Sequence, residues 1–196
     1  MSTVAVSTQR RPVLADLVSR TFLADTVLVV SAAALVGLLA QISVHLSFTP
    51  VPITGQTLGV LLAGSALGWR RASLAMSLYL VAGVAGVPWF AGHASGYPTA
   101  TFGYLLGFVV AGALTGWLAE KGNDRNVVRA ATSMVAGEVL IYAIAVPWLA
   151  VAVHVSLLKA LTLGMTPFIA GDLIKAGFAG VALPSSWRLV DRMTKK

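Results

Sequence analysis

Residues 26–46 read TVLVVSAAALVGLLAQISVHL, and the reading of this stretch decides the fold. It carries no Asp, Glu, Lys or Arg, and at 1.5 Å per residue it is long enough to cross a hydrocarbon core of about 30 Å. The rest of the chain agrees. Of 196 residues, 57% are apolar and only 11% are charged, under half of the roughly 25% usual for a soluble domain. Such a composition belongs to an integral membrane protein.

Five further segments read as membrane spans, at 54–69, 72–88, 101–118, 129–152 and 166–184. The second is short, because Pro50 and Pro52 disfavour a continuous helix before it. Basic residues set the orientation, since inside loops hold Lys and Arg and outside loops do not. Arg10, Arg11 and Arg20 precede the first span. Arg70 and Arg71 separate the second from the third, and Lys121, Arg125 and Arg129 the fourth from the fifth. Arg188, Arg192, Lys195 and Lys196 follow the sixth. With six spans all of these share one side, and the other side holds only Lys159, with His45, His93 and His154. The expectation is therefore an all-α bundle of six transmembrane helices with both termini cytoplasmic. Residues 1–25 form a cytoplasmic lead without a secretory signal pattern, 26–187 the membrane domain, and 188–196 a basic cytoplasmic tail.

Several functions are excluded. The net charge of +7 is scattered over short loops and tails, which fits membrane topology and not nucleic-acid binding. There is no cysteine, hence no disulfide or thiolate metal site. The histidines stand in separate outer loops without ligand spacing, so neither a metal nor a cofactor is expected. No GxxxxGK[ST] motif is present, so any ATP hydrolysis must come from another subunit. Gly55/Gly59, Gly64/Gly68, Gly103/Gly107 and Gly112/Gly116 are spaced four apart and predict close helix crossings.

The polar inventory of the membrane region is small. In TPFIAGDLIK, residues 166–175, Thr166 and Pro167 suit a helix start. Asp172 and Lys175 follow in the outer half, on one helical face. A charge at mid-membrane costs roughly 2.5–3.5 kcal/mol on insertion scales, so such residues usually face a cavity. The two either neutralise each other structurally or line a cavity that binds a polar solute, Asp supplying acceptors and Lys donors. Gly171 before them would let another group come close to the backbone. Glu138 is the remaining buried acid, which could hydrogen-bond a neighbouring helix, stay protonated or touch a partner, the structural role being favoured. The first outer loop, HLSFTPVPITGQT (45–57), is nearly uncharged and suited to fold back into the bundle. The second, VPWFAGHASGYPTATFGY (87–104), joins glycines to Trp89, Phe90, Tyr97, Phe102 and Tyr104. Trp89 and Trp148 fit an interfacial aromatic belt, whereas the loop as a whole also suits a lid over a small ring.

FTPVPITGQTLGVLLAGSALG, FAG before a Gly/aromatic loop ending in GYLLGF, IYAIAVPWLA and PFIAGDLIKA together resemble the signatures of the BioY family. These are biotin-specific substrate-binding (S) components of energy-coupling factor transporters, and the likeness runs over about 30–180. The loop 92–103 is shorter and poorer in glycine than the family's usual pattern, and Glu138 stands where a neutral residue is expected. The resemblance implies a binding protein of the plasma membrane, without catalytic residues. Asp172 would accept from a biotin ureido N–H, and Lys175 would donate to a ureido or carboxylate oxygen. Phe90 and Tyr104 would pack on the ring body, with help from Gln56. The partners implied are a transmembrane coupling subunit and two ATPase subunits, docked through a small-residue stripe at Ala33 and Gly37. An S component for another vitamin, or a membrane enzyme using Asp172, His93 or His154, is the competing reading.

Overall fold

The computed structural model describes residues 11–18, 21–97 and 99–194. Arg10, Arg20, Lys195 and Lys196 lie outside the described residues. Seven helices carry the fold: α1 (Phe22–Gln41), α2 (Gln56–Leu67), α3 (Trp69–Val84), α4 (Phe102–Glu120), α5 (Val127–Ala152), α6 (Leu157–Gly164) and α7 (Ile169–Thr194). Among the described residues, α1, α4, α5 and the α6–α7 stretch 157–194 are long and apolar enough to cross a membrane, and α2 is a shorter apolar helix.

Each predicted span has a helical counterpart, but several boundaries move for identifiable reasons. Thr21 caps α1 by accepting from the Ala24 N–H, so the helix starts four residues before the sequence expectation. Residues 11–18 are also not a free lead. Val13 and Ala15 are buried in the bundle, Arg125 donates to the Pro12 carbonyl, and Arg71 bridges Asp16 and Asp25. At the other end α7 continues through Pro184 to Thr194, so the expected basic tail begins as the last turns of a helix.

The first outer loop turns inward as a short antiparallel hairpin, β1 (Ser43–Val44) against β2 (Ile53–Thr54). Its end is tied to α1 where Gly55 N–H meets the carbonyls of Leu39 and Ile42. Helix α2 then has only 12 residues, or roughly 18 Å at 1.5 Å each, with the paired hairpin leading into its start. Gly68 alone joins α2 to α3, at φ 79°, a conformation open to glycine and disfavoured for other residues.

All four glycine pairs sit at helix crossings. A Cβ on Gly59 would lie 2.6 Å from Leu39 of α1, one on Gly64 2.7 Å from the Gly112 carbonyl of α4, and one on Gly107 3.0 Å from the Ile141 Cα of α5. The backbones approach because nothing protrudes between them. The central helix is α4, packed on α2, α3 and α5, while α7 closes against α5 and α2.

Candidate solute-binding site

A cavity of about 210 Å³ opens between the hairpin, the 90–101 loop and helices α2, α4, α5 and α7. Its wall contains Gln56, Phe90, Tyr104, Asp172 and Lys175. These five residues, far apart in the chain, are the ones the sequence and the family resemblance singled out.

Asp172 occupies the first turn of α7, where unpaired backbone N–H groups and the helix dipole favour a carboxylate. It is 7% exposed. Its Oδ1 accepts from Lys175 Nζ at 3.1 Å, and its Oδ2 accepts from the Tyr142 hydroxyl. Lys175 also donates to Thr57 Oγ1 at 2.8 Å. The pair does neutralise itself, but at a cavity wall and not between sealed helices. Each carboxylate oxygen retains lone-pair capacity, and the ammonium has a third proton, so both can engage a further group. Gly171 is not a point of close approach, since a Cβ there would meet nothing within 4 Å.

The remaining walls are held from behind. Gln56 Nε2 donates to the Tyr79 hydroxyl at 2.8 Å, and that hydroxyl donates to the Trp89 carbonyl at 3.1 Å. This commits one of the two amide N–H donors to the scaffold, while Oε1 accepts no hydrogen bond among the described residues. Phe90 lies edge-on to Tyr79, ring centroids 5.4 Å apart, and its ring fills the space left by Gly83. The Gly92–His93 turn, at φ 68° and 60°, brings the chain back so that Phe90 pairs with Ala94. Gln41 secures it, donating to the Trp89 and Phe90 carbonyls and accepting from the His93 N–H. Tyr104 donates to the Gly164 carbonyl at 2.6 Å, which ties the wall to α6. Thr49 does the same from the hairpin loop through the Leu163 carbonyl. Trp148 holds the far end of the loop, donating to the Thr99 carbonyl and packing on Phe102.

Other expectations fare differently. Ala33 and Gly37 do not form an outward stripe. Ala33 is fully buried, and a Cβ on Gly37 would lie 3.1 Å from Trp89. Their small size serves packing inside this chain, and a docking role for these two loses its basis. Trp89 is likewise not a belt residue, because its indole N–H donates to the Tyr79 carbonyl and its ring lies 5.2 Å from that of Tyr79. Thr57 and Tyr142 line the same cavity and were missed by the sequence reading. Their only signal was position: Thr57 directly follows Gln56 in the first-loop motif, and Tyr142 is the second residue of IYAIAVPWLA. No group of three or more His, Cys, Asp or Glu among the described residues is placed to hold a metal.

The fold and the pocket define a membrane-embedded solute-binding protein: apolar and aromatic walls, one acid and one base at the polar end. Comparison with known proteins places it more closely. The model of the BioY family matches residues 8–192. Relatives include the biotin transporter BioY of Rhizobium etli, 36% identical, covering 74% of this chain and 81% of that one. The probable biotin transporter BioY of Pyrococcus horikoshii is 39% identical, covering 71% and 82%. A crystal structure of the S-component for biotin from an ECF-type ABC transporter superposes with a TM-score of 0.77 at 22% identity, covering 87% of this chain and 95% of that one. The chain belongs to the BioY family.

Proposed function

We propose that this protein takes up biotin as the S component of an ECF-type transporter, and that the outer cavity is where biotin binds. The observation that carries this reading is the placement of Asp172 and Lys175 together on the wall of a cavity that Phe90 and Tyr104 also line. Asp172 accepts from a ureido N–H, Lys175 donates to a ureido or carboxylate oxygen, and Gln56 contributes its free carbonyl oxygen. The fused rings of biotin lie against Phe90 and Tyr104. The chain is no enzyme.

On this reading α1 to α5 and α7 each cross the plasma membrane, and α6 lies at the outer surface. Both termini are then cytoplasmic, because Arg70, Arg71, Lys121, Arg125, Arg129, Arg188 and Arg192 gather at one end. A transmembrane coupling subunit and two ATPases supply the energy. The coupling subunit meets residues other than Ala33 and Gly37, which are taken up internally.

Equilibrium dialysis of the detergent-solubilised protein with labelled biotin tests the assignment. Retention of label, displaced by unlabelled biotin and not by an excess of other vitamins, is expected. Displacement by a different vitamin would move the chain to another substrate, and chemical conversion of the label would revive the enzyme reading.

A further inference from the structure

Glu138 lies one helical turn below Tyr142 on α5, on the same face. It is 5% exposed, and neither carboxyl oxygen completes a hydrogen bond among the described residues. The side chain rests beside the Thr57 hydroxyl and within electrostatic reach of Asp172 and Lys175. This puts it directly behind the cavity wall, since Thr57, Tyr142, Asp172 and Lys175 all line the cavity.

Charge counting restricts its state. Asp172 and Lys175 already balance each other at 3.1 Å. A further ionised carboxylate would leave a buried excess of negative charge with two unpaired oxygens, and a buried group in that situation neutralises instead. Thr57 Oγ1 is occupied as an acceptor by Lys175, which leaves the Thr57 hydroxyl proton needing an acceptor of its own. Glu138, whose two oxygens have no partner of their own among the described residues, is the buried acceptor within reach.

We propose that Glu138 is an uncharged positioning residue that accepts the Thr57 hydroxyl proton, so that Thr57 holds the Lys175 ammonium where a ligand oxygen meets it. The inference rests on the reading of Asp172 and Lys175 as the grip for biotin. The ionisable groups facing this cluster among the described residues are Asp172 and Lys175 from α7, Tyr142 from α5 and Tyr104 from α4, with His45 in the cavity lining; α2 presents the neutral Gln56 and Thr57.

A double-mutant cycle on biotin affinity, measured by calorimetry on the full chain in detergent, tests it. Thr57→Val and Glu138→Ala are each expected to weaken binding about fivefold, the worth of one ordinary hydrogen bond. The double variant should be no weaker than the weaker single variant, because the two act in series. Glu138→Gln, which keeps an uncharged carbonyl acceptor, should recover most of the Glu138→Ala loss. Infrared spectroscopy should show the carbonyl stretch of a protonated carboxylic acid in the parent and not in Glu138→Gln. Additive losses, a Gln variant as weak as the Ala variant, or no protonated-acid band assignable to Glu138 would each overturn the inference. Failure of the parent to bind biotin would instead bring down the reading of the site, and the infrared band would still report the state of Glu138.

Discussion

Gly83 and Phe90 show how tightly single residues shape the site. A Cβ on Gly83 would fall 2.2 Å from the Phe90 ring, so Gly83→Ala must displace the ring from the cavity wall or shift α3. Overpacking of this kind costs about 1–3 kcal/mol, and because the ring is part of the wall, the effect should appear in binding. We expect a loss of roughly tenfold in biotin affinity, read by titration; unchanged affinity would show that Phe90 does not contact the ligand. At this scale the residues that break a pattern were legible. Asp172 and Lys175 stand out as charges inside an apolar helix, and Gln56, Phe90 and Tyr104 lie in motifs rich in polar or aromatic residues. Thr57, Tyr142 and Gln41 were not, because neutral polar side chains are common in membrane helices and only a partner across the fold gives them a role.

Among elements, the glycine pairs carried the clearest message, since a missing side chain on a helix face has no use unless something comes close. Gly64→Val in α2 is expected to destabilise the protein by about 1–3 kcal/mol, because even a Cβ would lie 2.1 Å from Thr115 Oγ1 and 2.7 Å from the Gly112 carbonyl. Gly177→Ala makes the contrast. It meets nothing within 4 Å and should leave the thermal midpoint in detergent unchanged, or raise it through a helix preference of up to about 1 kcal/mol. Equal midpoints for Gly64→Val and the parent would contradict the α2–α4 crossing. Two elements escaped the sequence reading. The β1–β2 hairpin has strands of only two residues, too short for any alternation to register. Helix α6 spans eight residues around Lys159 and resembles a connector until Thr49 and Tyr104 bind its last carbonyls.

Over the whole molecule, the proposed orientation rests on the placement of charge, and that orientation puts the pocket on the outer side. The chain has no cysteine, so single introduced thiols report topology without background. A cysteine replacing Leu158, which is 74% exposed on α6, should react with an impermeant maleimide on intact cells. One replacing Met193, near the end of α7, should react only after permeabilisation. Labelling of both from outside would break the six-crossing arrangement. The clustering of basic residues in alternate connections was readable because it needs only their positions along the chain. The packing of residues 11–18 was not, for it depends on Arg71 meeting both Asp16 and Asp25.

The most direct measurement is a calorimetric titration of biotin into Asp172→Asn beside the parent protein. A hydrogen bond to a charged group contributes about 1.5–3 kcal/mol, so a vestibule gripping its solute through Asp172 requires a loss of more than about tenfold in affinity. An Asn variant that binds biotin as tightly as the parent would show that the acid only holds helices together.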